Sequence, residues 1–99
     1  MGSGRSRKYI GTFVGTGADL EIRKVGFRPV HVEVYNVSGL CKMVWSKTMA
    51  DDTALKQITD GTLSLAATNG ITPLSDGFAL GADTDANVDG ESGFFVATD

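Results

Sequence analysis

Residues 30–36 read Val-His-Val-Glu-Val-Tyr-Asn, with valine at every second position. A period of two puts Val30, Val32 and Val34 on one face of an extended chain. His31, Glu33 and Tyr35 then fall on the other. β-branched side chains suit a pleated backbone, so this segment is a strand buried on one face, with Asn36 continuing the valine side. One half-buried strand cannot stand alone. The rest of the chain must supply its neighbours.

It does so in short pieces separated by turn residues. Tyr9–Val14 reads as a first strand ended by Gly15-Thr16-Gly17, and Leu20–Ile22 as a second that continues through Arg23-Lys24-Val25. Gly26-Phe27-Arg28-Pro29 is a turn, because proline holds φ and glycine permits unusual dihedrals. After Ser38-Gly39, Leu40–Trp45 is the returning strand. Residues 46–60 carry no strong apolar stripe, so a loop with at most a short helical turn is expected there. Leu63 and Leu65 alternate with polar neighbours, and Asn69-Gly70 signals a turn. Ile71–Leu74 and Phe78–Leu80 flank Ser75-Asp76-Gly77, residues 81–91 form a polar loop, and Gly93–Ala97 is the last strand. With 13 glycines against 2 prolines, the pattern predicts an all-β fold. It is expected to be a small antiparallel β-sandwich, jelly-roll-like, over residues 9–99. Residues 1–8, Met-Gly-Ser-Gly-Arg-Ser-Arg-Lys, have nothing to bury and read as a flexible basic arm.

A domain of 99 residues buries only roughly two-thirds of its unfolded surface, so association is an expected supplement. The net charge of −3 is unevenly placed: eight of the nine Lys and Arg residues precede position 50, and nine of the twelve Asp and Glu residues follow it. Such a partition lets neighbouring copies attract one another. Cys41 is the sole cysteine, which excludes an internal disulfide or a cysteine-based zinc cluster. No apolar stretch is long enough to span a bilayer, and the opening residues lack the apolar segment of a secretory signal. A role without membrane insertion is expected.

Chemistry-bearing patterns are sparse. His31 and Cys41 flank one hairpin, but no orienting group accompanies them, and Asp51-Asp52 is a solvated pair, so no enzyme is expected. The glycines from Gly11 to Gly17 lack the spacing of a phosphate loop. Asp85-x-Asn87-x-Asp89-Gly90 reproduces the opening of a calcium loop. However, the closing ligand position falls on Val96, so Asp85, Asn87 and Asp89 remain a loose calcium candidate and no cofactor is expected. Arg5, Arg7, Lys8 and Tyr9 form a basic cluster with one aromatic. The acidic balance of the whole chain argues against nucleic acid as their partner and for an acidic protein surface.

Two segments carry a resemblance. Gly26-Phe27-x-Pro29-x-x-Val32-x-Val34-x-Asn36 resembles a stretch common in tailed-bacteriophage structural proteins. Gly77-Phe78-x-x-Gly81, then Asn87, Gly90-Glu91 and Phe94–Ala97, resembles a later stretch of the same proteins, with Trp45 and Met49 between them at the place of a tryptophan–methionine pair. Phe94-Phe95 stands where such proteins have tyrosines, so no sugar-binding role is carried over. The resemblance implies a β-sandwich virion component, commonly a homotrimer, made in the bacterial host cytoplasm. A tail fibre needs a shaft as well as an attachment domain, whereas a decoration protein needs only a compact body and a grip. The expected function is therefore capsid decoration (cement) on the outer surface of the major capsid protein shell, gripped through Arg5, Arg7, Lys8 and Tyr9. A tail-fibre or tail-tip module that binds a host receptor is the second reading.

Overall fold

A computed structural model describes residues 7–99. Eight strands are formed: β1 Lys8–Val14, β2 Leu20–Ile22, β3 His31–Asn36, β4 Cys41–Ser46, β5 Thr53–Gln57, β6 Leu63–Leu74, β7 Gly77–Leu80 and β8 Ser92–Thr98. They make one antiparallel sheet in the order β1-β8-β3-β4-β5-β6-β7-β2. The all-β antiparallel expectation holds, and the strands belong to a single hydrogen-bonded sheet.

Chain connectivity forces that sheet to curl. β1 and β2 lie at its opposite ends, which in a flat sheet would be roughly 34 Å apart at about 4.8 Å per strand. The link from Val14 to Leu20 reaches at most roughly 22 Å. The sheet therefore bends into a half-barrel, and its two ends meet along a seam. Lys24 crosses the seam, donating from Nζ to the Thr12 carbonyl at 2.9 Å.

The inner face holds the core: Phe13, Val32, Val34, Met43, Trp45, Ala54, Ile71, Phe78, Leu80, Phe95 and Ala97 are buried. β3 has the predicted orientation, with Val32, Val34 and Asn36 inside and His31, Glu33 and Tyr35 outside; Val30 is half-buried just before the strand. Cross-strand pairs of glycine and phenylalanine fit the rings into the curve. Gly11 pairs with Phe95 and Gly93 with Phe13. A Cβ on Gly11 would lie 2.8 Å from Phe95, and one on Gly93 would lie 2.9 Å from Phe13 and 2.2 Å from the Tyr35 carbonyl. Bare backbone at both places is what lets the rings lie down.

The structure corrects three expectations. Residues 53–57, expected in a loop, are strand β5, paired to both β4 and β6. Thr-Ala-Leu-Lys-Gln has weak strand preference, and its inward Lys56 hides the alternation, so it is extended because its neighbours are. Asn69-Gly70 makes no hairpin: β6 runs through it. The partner of Thr53 is Ile71 while that of Ala54 is Ala66, so residues 67–70 bulge out of register. Asn69 takes a left-handed φ of 57°, and the Gly70 amide donates to the Asp52 carbonyl at 3.0 Å. The Asn-Gly signal marked an unusual backbone but not its type. Third, Arg7 and Lys8 belong to the folded body, since β1 begins at Lys8 and the Asp99 amide donates to the Arg7 carbonyl at 2.8 Å.

Candidate functional site

The outer face of the sheet carries an apolar row across six strands. Strand register aligns Ile10, Val96, Glu33, Val44, Leu55 and Leu65 side by side, from β1 through β8, β3, β4 and β5 to β6. Ile10, Leu55 and Leu65 are 65%, 40% and 64% exposed. The neighbouring row holds Thr12, Phe94, Tyr35, Lys42, Gln57 and Leu63. Single exposed apolar residues are ordinary, but a contiguous set on one sheet face marks a contact surface.

Glu33 is the one charge in the first row. Tyr35 donates its hydroxyl to Glu33 Oε1, and His31 Nε2 lies 2.9 Å from Oε2. The Tyr35 and His31 hydrogen bonds hold the carboxyl below its ordinary value, while Glu33 in turn raises the Tyr35 phenol. The ring of Tyr35 stacks on Phe94 with centroids 4.6 Å apart. Beside this pair, Val37, Leu40, Lys42 and Ile58 line an open groove of about 410 Å³. Leu40 was expected to open the returning strand. It instead takes a left-handed φ of 55° and points to solvent.

The residues singled out for chemistry do not converge. His31 pairs with Ser46 and Cys41 with Asn36, an offset of roughly 16 Å along the strand, and Cys41 faces inward. Burial, with the nearby Asp83 charge, pushes its thiol up to about 11. In the 81–91 loop, Asn87 is buried. Its Oδ1 accepts from the Thr16 amide at 2.8 Å, and its Nδ2 donates to the Ala18 and Gly81 carbonyls at 2.6 and 3.0 Å. Asn87 thus staples the loop to the β1–β2 link, and its ligating oxygen is occupied. Asp85 meets a lysine in place of a metal: Lys56 Nζ lies 2.7 Å from Asp85 and 3.0 Å from the buried Asp83. Asp89 is exposed. Among the described residues no three His, Cys, Asp or Glu side chains gather as metal ligands.

Of the four predicted gripping residues, Arg5 lies outside the described residues. Arg7 pairs with Asp99 at 2.7 Å and covers the Phe27 ring at 4.9 Å. Lys8 is exposed at the start of β1, and Tyr9 stacks on Phe95 with centroids 5.8 Å apart. Arg7 and Tyr9 are thus engaged within their own chain. The motif residues Phe27, Pro29, Val32, Val34, Asn36, Phe78, Gly81, Asn87, Phe95 and Ala97 are all buried, so they shape the fold. Sequence reasoning missed the outward row, because its members come from six separate segments that only register aligns. Compared with protein-family models, curated proteins and solved structures, the chain matches none.

Proposed function

We propose that this chain is a phage capsid decoration protein, which binds the outer surface of the major capsid protein shell and stabilises it. The order of motifs from Gly26 to Ala97 supports the virion reading. The observation that carries a binding role is the outward row from Ile10 to Leu65, an apolar strip on a face that a lone domain has no reason to leave uncovered. Laid on a shell, that strip supplies contact area, and the exposed Lys8 adds charge at its β1 end. Each contact is modest, and repetition over the lattice supplies the strength. Packing of the two halves of the curled sheet across the Phe78–Phe95 core, with ring centroids 5.1 Å apart, supports a jelly-roll-like sandwich reading of the body.

The groove beside Tyr35 and Phe94 favours a second reading, a tail-tip module that takes a receptor group between Val37, Leu40 and the aromatic pair. Copy number in purified virions separates the two. Hundreds of copies per particle are expected for decoration and a handful for a tail site; none at all would overturn both. Ile10→Asp, at an exposed position, is expected to keep the melting temperature and lower occupancy on capsids, and unchanged occupancy would remove the strip from the contact.

A further inference from the structure

Among the described residues three stretches of strand edge have no backbone partner, and they are not alike. β1 ends it on one side, where Lys8 is exposed and the Lys24 ammonium caps the Thr12 carbonyl. β2 ends it on the other with three residues, and the Glu21–Arg23 ion pair sits beside them at 3.1 Å. Charge and shortness are the ordinary means by which proteins blunt sheet edges. The third edge lies along β6. β7 pairs only with Ile71–Leu74, and Gly81 lies against the backbone of Asn69 and donates its amide to the Gly70 carbonyl at 2.9 Å. Among the described residues it is therefore the backbone of 63–66, ahead of the bulge, that has no strand partner on the side away from β5. This stretch reads Leu-Ser-Leu-Ala, and no charged residue occurs between Asp60 and Asp76. Nothing blunts it.

The unpaired amides and carbonyls of such an edge are left to water unless another extended strand pairs with them. Leu63 is 59% exposed and lies on the same face as Leu65 and its cross-strand partner Leu55. Leu63-Ser64-Leu65 is also a palindrome. Turned about a twofold axis through Ser64, a second copy sets its Leu65 opposite Leu63 and its Leu63 opposite Leu65. Facing antiparallel residues share a face, so four leucines gather there, each pair flanked by its own Leu55. Because the strand is uncharged, two copies of this acidic chain meet without like charges at the contact.

We infer that two copies of this chain pair antiparallel along residues 63–65, centred on Ser64, so that β5 and β6 of each continue one sheet across the twofold axis. The contact is isologous and closes at two, in place of the threefold that the phage resemblance implies. It joins the two outward apolar rows into one wider face, and it stands independently of the capsid reading. A single edge pairing is a small interface, so the dimer forms at high concentration or where copies are crowded side by side.

The test is sedimentation equilibrium of the full chain from about 1 μM to about 1 mM, the range in which weak pairs form. A monomer–dimer equilibrium is expected, and Leu65→Lys is expected to weaken it at least about tenfold by pressing an ammonium against leucine. The melting temperature of that variant should stay put, because the residue is exposed in the monomer. Ser64 faces its own copy at roughly 4.5–5.5 Å between Cα atoms, within disulfide range. Ser64→Cys should therefore cross-link in oxidised glutathione faster than Thr68→Cys, which falls beyond the paired palindrome. A chain that stays monomeric throughout, a threefold species, or equal cross-linking at 64 and 68 would each overturn the pairing.

Discussion

Lys56, on the inner face of β5, holds its ammonium 3.0 Å from the carboxylate of Asp83, a residue buried in the loop that leads to β8. The other oxygen of Asp83 accepts the amides of Asp85 and Ala86 at 2.8 and 2.9 Å. One ion pair thus ties the middle of the sheet to the 81–91 loop and sets that loop's first turn. Removing one member of a buried pair leaves the other charge uncompensated. Lys56→Met is expected to cost about 3–5 kcal/mol, read as a shift in the urea midpoint. Adding Asp83→Asn should return part of that loss. Burial opposes the Lys56 charge, but the hydrogen bonds and charges of Asp85 and Asp83 outweigh it and raise its pKa above the ordinary 10.5. Its stabilisation is therefore complete below pH 10.5 and is lost as pH rises through the raised value. Alkaline unfolding of the parent that is absent from the double variant is the expected signature.

Glu33 works in the opposite pH window. Tyr35 and His31 hold its carboxyl below the ordinary 4.5, so its contribution is present above that pH and lost as pH falls through the lowered value. Tyr35→Phe should cost about 1 kcal/mol at neutral pH. The difference from the parent is expected to shrink in acid, as melting curves at several pH values between about 3 and 7 would show.

Cys41 reports on unfolding. With its thiol pushed up to about 11, only about 0.1% is thiolate at pH 8, and the side chain is buried. Iodoacetamide is expected to leave the folded protein unlabelled over hours and to label it promptly in denaturant. Rapid labelling of the folded chain would contradict the inward position of Cys41 on β4.

Asn87→Ala removes the partners of the Thr16 amide and of the Ala18 and Gly81 carbonyls together. A loss of at least about 2 kcal/mol is expected, with faster amide exchange at Thr16 as its local readout. The same geometry predicts the response to calcium. Asn87 is engaged through Oδ1 and Asp85 is paired to lysine, so millimolar calcium should leave the melting temperature unchanged.

Much of the sheet was legible before any tertiary information. The alternation through Val30–Asn36 assigned both faces of β3 correctly, because side-chain direction along a strand is a local steric matter. The hairpin about Ser75-Asp76-Gly77 and the last strand were equally plain from turn residues flanking short apolar runs. Gly90 and Asn69 were marked as special positions, and both have positive φ. The candidate site fared differently. His31, Cys41, Asp85, Asn87 and Asp89 were visible as residue types, yet what each one touches lies far away in the chain.

By itself, then, the sequence determined that this protein is made of short antiparallel strands and which side of its central strand is buried. Those properties depend on neighbours one or two residues away. Tertiary structure alone decided that Thr53–Gln57 is a strand, that Asn69-Gly70 is a bulge, and that Lys56 neutralises Asp83. It also decided that six outward residues line up into one strip and that the edge at 63–66 stays open. Each of these is a matter of register between segments tens of residues apart. Such pairing depends on which backbone donors and acceptors the curl of the whole sheet brings together, and no local preference encodes that.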